Sequence, residues 1–191
     1  MDYDKASDWE LVELTKGDLH FFKYIVERYE NRIFHYLKRL SYYSQEDVED
    51  MTQEVFIKIY SSLNSFSPSD KFSSLIYRVA HNHLVDCIRK SSCRVGQSHL
   101  DDAEALSLLR SEVNLEKEVA GQDASEKIKK VIDELSINYK EVLVLKFLEE
   151  KTIEEIGDIL QKPQGTVATL LRRGREKLKQ NLIDVKLDLR L

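Results

Sequence analysis

Residues 152–180 read TIEEIGDILQKPQGTVATLLRRGREKLKQ. Thr152 and Glu155 form a capping box, in which a hydroxyl and a carboxylate each satisfy the other's backbone N–H at a helix start. Ile153, Ile156, Ile159 and Leu160 then supply an apolar stripe at helical spacing. Pro163, within 161–164, interrupts it, and Val167, Leu171, Gly174 and Leu178 carry a second stripe. Helix, tight turn and basic helix predict a helix-turn-helix, whose second helix enters the major groove of DNA. On that helix Arg172, Arg173, Arg175, Lys177 and Lys179 stand against one acid, Glu176. The plain alternative is an ordinary solvated basic face.

Working back along the chain, Ile128, Val131, Ile132 and Leu135, then Val142, Leu143, Leu145 and Phe147, continue the three- and four-residue spacing. Short helices are expected there. Periodicity weakens over 94–124, where Ser, Asp, Glu, Gln and Gly accumulate, so this stretch reads as a flexible linker, with Leu106, Leu108 and Leu109 able to support a transient turn of helix.

The first half predicts a four-helix bundle. Ser7 and Glu10 form a capping box before Leu11, Val12 and Leu14, and Gly17 closes that helix. Asp18 is placed to cap a longer one with a core face of Phe22, Ile25, Val26, Tyr29, Ile33, Tyr36, Leu37 and Leu40. Ser44 and Asp47 repeat the capping signal before Val48, Met51, Val55, Ile59 and Leu63. A loop over 64–71 with Pro68 precedes a fourth helix carrying Phe72, Ile76, Val79, Ala80, His83, Leu84 and Cys87 inward, ending at Ser91 and Ser92. The expected fold is all-α, with two small helical domains at 1–93 and 125–191 joined by the linker 94–124.

With 42% hydrophobic and 33% charged residues among 191, the chain can bury one moderate core or two small ones. Six Gly and two Pro agree with a helical chain. The net charge of -5 argues against a protein that coats nucleic acid by bulk attraction. Residues 1–93 hold 12 basic and 15 acidic side chains, 94–124 hold three and seven, and 125–191 hold 14 and 12, so positive charge is concentrated in the last part. No early stretch is apolar enough for a signal peptide and no window reaches membrane-spanning length, so a cytoplasmic protein without membrane insertion is expected. Cys87 and Cys93 make neither a disulfide framework nor a zinc site.

Three strings, EDVEDMTQEVF at 46–56, FSSLIYRVAHNHLVD at 72–86 and QGTVATLLRRGREKL at 164–178, occur in an order and at separations that together resemble the bacterial extracytoplasmic-function sigma factors. The resemblance implies a transcription initiation factor that lends promoter recognition to RNA polymerase and catalyses no reaction, with no cofactor and no metal. In such factors the first domain, region two, binds the clamp helices of polymerase core and opens the minus-ten element. The second, region four, binds the minus-thirty-five element and the polymerase flap. An anti-sigma factor is a further partner that the class leads one to expect.

Asp47, Asp50, Gln53, Glu54 and Ile57 are the candidate polymerase-binding residues. Asp50, Gln53, Glu54 and Ile57 share a polar, acidic helix face opposite the apolar stripe, suited to a basic partner helix. By the resemblance, Asn82 and the loop 66–71 hold an extruded minus-ten base, with Phe66, Lys71, Arg78 and Arg89 contributing. Otherwise Asn82 is an ordinary helix-surface residue and Phe66 a loop anchor in the core. Leu75 stands where the family's F-x-x-W pattern has tryptophan. For the minus-thirty-five element the candidates are Gln164, Gly165, Thr166, Thr169, Arg172, Arg173 and Arg175. Ala168 and Leu170 stand where family members often carry basic residues, so base preference cannot be borrowed.

Two other readings compete. His81, His83 and Asp86 make an H-x-H-x-x-D string like that of metallohydrolases, but residues two apart on a helix point about 200° apart, so one buried and one exposed histidine is expected instead. A helix-turn-helix regulator acting without polymerase would need a dimerisation or ligand module in place of the first domain.

Overall fold

The computed structural model describes residues 3, 6–67, 71–94 and 135–188, and the side chains of all of these except 91–94 and 184–188. Every regular element among the described residues is helical. Of the expected linker only Arg94, the last residue of a helix, is among them; 95–124, residues 128–134 of the helix expected from Ile128, and the loop's Pro68 lie outside.

In the N-terminal unit, α1 (Asp8–Gly17) starts as expected: the Ser7 hydroxyl accepts the Glu10 N–H and the Glu10 carboxylate accepts the Ser7 N–H at 2.7 Å. The Ser7 N–H first, and second the Ser7 hydroxyl donating to the same carboxylate at 2.8 Å, hold the Glu10 carboxyl below the usual carboxylate range. Asp18 caps a short 3-10 turn, Leu19–Phe21, and not the long helix itself. Then α2 (Phe22–Leu40) begins with no side-chain cap and buries Ile25, Tyr29, Ile33, Tyr36, Leu37 and Leu40, while Phe22 and Val26 stay half-buried at the edge of the stripe. Asp8 ties α1 to α2, accepting from Arg28 at 2.7 Å and from the Tyr29 hydroxyl. Burial first and the Asp8 bond second raise the Tyr29 phenol above its ordinary range, so the hydroxyl stays protonated at neutral pH and its stabilising contribution falls away as alkali removes the proton.

Helix α3 (Gln45–Ser62) has the predicted Ser44–Asp47 capping box and buries Val48, Met51, Thr52, Val55, Phe56 and Ile59. A 3-10 turn, Leu63–Ser65, follows. Helix α4 (Phe72–Arg94) runs past Ser91 and Ser92, since serines are weak stops without a following Gly or Pro. Phe72 is an aromatic hub, meeting Trp9, Tyr29 and Phe66 edge-on. It packs α4 on both α1 and α2.

In the C-terminal unit come α5 (Ile137–Phe147), α6 (Ile153–Leu160) and α7 (Gln164–Asp188), and Val142, Leu145, Ile156, Ile159, Val167 and Leu171 are buried. A Cβ on Gly174 would lie 3.3 Å from Leu143 and Tyr139, so the bare backbone sets how closely α7 approaches α5. The Thr152–Glu155 box opens α6. Its turn into α7 uses Gln161 at φ 55°, a left-handed conformation, and the Lys162 N–H bonds back to Gly157 at 2.9 Å. A Cβ at Gly157 would sit 2.8 Å from the Lys162 carbonyl oxygen. Gly157→Ala is therefore expected to destabilise the protein by about 1–3 kcal/mol, and Gln161→Gly to stabilise it by about 1 kcal/mol. Urea unfolding of the full chain checks both, and equal midpoints would mean that the turn is not under this constraint.

Two residues of the apolar stripes lie outside this core. Phe147 is 56% exposed and Ile153 37%. With Leu135, Leu143, Leu148, Leu171 and neighbours they line an open apolar groove of about 950 Å³ on the α5 and α7 side of this unit.

Candidate functional site

Three surfaces carry the residues singled out from sequence. On α3, Asp47, Asp50, Gln53, Glu54 and Ile57 are all exposed, because the residues between them fill the buried side of the same helix. Ile57, at 64% exposure, is an apolar contact set among polar groups. Asp47 differs from the rest: its carboxylate accepts from the Ser44 hydroxyl at 2.6 Å and the Ser44 N–H at 3.2 Å, so it is held as a helix cap.

On α4, Asn82 and Arg89 are exposed, whereas Arg78 is half-buried with its Nε in the interior. By the 3.6-residue period, positions 78, 82 and 89 fall within one narrow stripe of the helix. Lys71 is exposed just before the helix. Phe66 is half-buried, its ring 6.3 Å from that of Phe72, which makes it an anchor for the start of the loop. Leu75 is only 8% exposed and so packs inward where the family pattern has tryptophan.

On α7, Gln164, Gly165, Thr166, Thr169, Arg172, Arg173 and Arg175 are all exposed. Positions 165, 166, 169, 172 and 173 turn one continuous side outward, opposite Val167, Leu171 and Gly174. Gln164, at the helix start, and Arg175 lie about a third of a turn from the middle of that side, and Arg175, like Arg172 at the edge of it, lines the apolar groove. The Thr169 hydroxyl bonds to the Gly165 carbonyl at 2.8 Å, and Arg172 pairs with Glu176 at 2.8 Å. Packing thus brings together a compact polar face capable of meeting phosphates and base edges.

Sequence reasoning passed over one cluster beside the α3 face. His83, 3% exposed on α4, lies with Nδ1 2.7 Å from the Lys58 ammonium, Nε2 3.3 Å from the Glu54 carboxylate, and Nε2 3.8 Å from the Cys87 sulfur. The available signal was a histidine on an apolar face opposite a helix that carries Glu and Lys four residues apart. His81 is half-buried. No group of three or more His, Cys, Asp or Glu among the described residues is arranged to hold a metal ion.

Residues 25–93 match Sigma-70 region 2, and residues 125–178 match Sigma-70, region 4. The ECF RNA polymerase sigma factor SigW of Bacillus subtilis (strain 168) is 34% identical over 184 residues, 92% of this chain and 96% of the relative. Among solved structures, that of CnrH in complex with the cytosolic domain of CnrY superposes with a TM-score of 0.67 at 19% identity, covering 93% of this chain and 97% of that one. The sigma factor RpoE in complex with the anti-sigma factor NepR from Bartonella quintana gives 0.65 at 18% identity, covering 84% and 96%. With the fold shared with both structures and one-third identity to SigW along almost its whole length, the chain belongs to the extracytoplasmic-function family of RNA polymerase sigma factors.

Proposed function

We propose that the chain works as a promoter-specificity subunit, a transcription initiation factor that acts by binding and positioning. It docks on core RNA polymerase through α3, presents α7 to the minus-thirty-five element and lends α4 to opening of the minus-ten element. The observation that carries this reading is the presence, in one chain, of an acidic exposed face on α3 and an exposed polar face on the second helix of a helix-turn-helix. A DNA regulator that ignores polymerase needs only the second. The domain limits 1–93, 94–124 and 125–191 belong to the same proposal, as does action in the cytoplasm, where polymerase and promoters meet.

Chemically, Asp50 and Glu54 supply negative charge to a basic partner helix such as the clamp helices, and Ile57 an apolar contact within it. On α7, Gln164, Thr166 and Arg172 suit base edges or phosphates, Arg173 a phosphate, and Gly165 a close backbone approach. Phe66 and Lys71 flank the loop before α4, and Arg78, Asn82 and Arg89 form the stripe offered to the melted strand. Arg175, turned away from that DNA side, fits the flap end of the interface better, beside the groove lined by Phe147 and Leu148. A protein relative bound to an anti-sigma factor supports the expectation that this chain too has one.

Transcription reconstituted with core polymerase and genomic promoters, read by sequencing transcript starts, tests the whole reading. Initiation at a discrete promoter set that needs this chain is expected; the same starts with and without it would end the proposal. Within it, Arg173→Ala is expected to weaken promoter binding about tenfold and to lower the salt slope by about one. Fluorescence anisotropy across a salt series reads both. Full affinity with an unchanged slope would remove Arg173 from the docking face.

A further inference from the structure

We infer that Thr169 reads the C5-methyl group of a thymine in the minus-thirty-five element, through its own methyl and not its hydroxyl; this rests on the reading of α7 as the helix that enters the major groove. By the 3.6-residue period, Thr169 stands at the middle of the outward side of α7, with Gly165 and Arg172 on one flank and Thr166 and Arg173 on the other. A helix laid in a groove presents that middle position most deeply. Donors and acceptors decide what Thr169 can offer there. Its Oγ1 lies 2.8 Å from the Gly165 carbonyl oxygen. A carbonyl only accepts, so the hydroxyl donates, and its single proton is spent on the helix's own backbone.

With the oxygen drawn back to the Gly165 carbonyl, the methyl is what the exposed side chain leaves to a partner. The surface one turn below is bare: a Cβ built on Gly165 would meet nothing within 4 Å. Gly165 and Thr169 together make a small apolar step in a face otherwise composed of hydroxyl and guanidinium groups. Of the groups that base pairs display in the major groove, the thymine methyl is the apolar one. An acceptor on a base edge finds no proton at this step, whereas a methyl group finds carbon. Arg172 and Arg173, to either side, remain for guanine or phosphate.

Binding of the full chain with core polymerase to duplexes carrying the minus-thirty-five segment of its mapped promoters tests this, with each thymine replaced in turn by deoxyuridine, which lacks only the C5-methyl. At one thymine the exchange should weaken binding about three- to fourfold, as burial of a single carbon group predicts. Thr169→Ser, which keeps the hydroxyl, should bind the thymine duplex as weakly as the parent chain binds the uracil one, and should not tell the two apart. Thr169→Val, which keeps a methyl and loses the hydroxyl, should still tell them apart by the same factor. A serine variant that still distinguishes the pair, a valine variant that does not, or a segment in which no thymine responds overturns the proposal. Arg173→Ala on the same duplexes probes the α7 face independently. If it leaves affinity intact, the face itself fails and Thr169 with it; if it weakens binding while uracil does not, only the methyl reading is lost.

Discussion

Reversing Asp50 and Glu54 together to lysine is expected to abolish binding to core polymerase, at least about a hundredfold, while the helical content of the chain stays unchanged. Both side chains are exposed on the outer side of α3, so neither contributes to the core that Val48, Met51, Val55 and Ile59 build. Against a basic partner helix the two lysines replace attraction by like-charge contact, which costs several kcal/mol at a docked interface. A pull-down with purified core, paired with circular dichroism, separates lost binding from lost folding. Asp50→Lys alone is the control for the second effect at position 54, where a lysine would also face His83. Retained affinity in the double variant would mean that the acidic strip is only a solvated surface.

The second large effect is expected at promoter opening. Asn82→Ala should slow formation of the open complex about tenfold or more and alter preference among minus-ten variants, with core affinity unchanged. Extruding a base from the stack costs a few kcal/mol, which hydrogen bonds to the exposed base edge must offset, and an amide supplies both a donor and an acceptor for that purpose. Asn82 is exposed on α4, so its loss removes no buried bond. Permanganate footprinting of the bubble, with core binding measured in parallel, reads the two steps apart. An intact bubble and an unaltered preference would return Asn82 to the plain helix surface.

Local signals made most of the helices legible. The three capping boxes at Ser7, Ser44 and Thr152 are formed between residues three apart, so nothing distant could overrule them. The stripe of α3 was equally readable, because its period alone decides which side is buried. Asp18 was misjudged for the opposite reason: a cap signal does not reveal whether a 3-10 turn intervenes before the helix proper. Phe147 and Ile153 read as members of apolar stripes, but how far each is covered depends on how the helices pack, which no local pattern encodes. The candidate faces followed the same division. Positions on α3 and α7 could be assigned from helical phase, and the anchoring of Phe66 was one of two readings open along the chain, whereas the half-burial of Arg78 and the distances within the His83 cluster arise between helices, which no local pattern fixes.

The pair between Arg172 and Glu176 bears on how the second domain tells one DNA from another. In the free protein the Glu176 carboxylate accepts from one nitrogen of the Arg172 guanidinium, with both side chains 62% exposed. If Arg172 meets DNA as proposed, the donor that Glu176 holds is exchanged from carboxylate to nucleic-acid oxygen with little net gain, while its remaining N–H groups stay available. Such an exchange adds little on random sequence, where a phosphate merely replaces the acid. It adds more where a guanine offers two acceptors at once. On the proposed docking face, a side chain of the wrong sign on a basic helix would thereby temper indiscriminate grip slightly and favour sites that offer the paired acceptors of guanine.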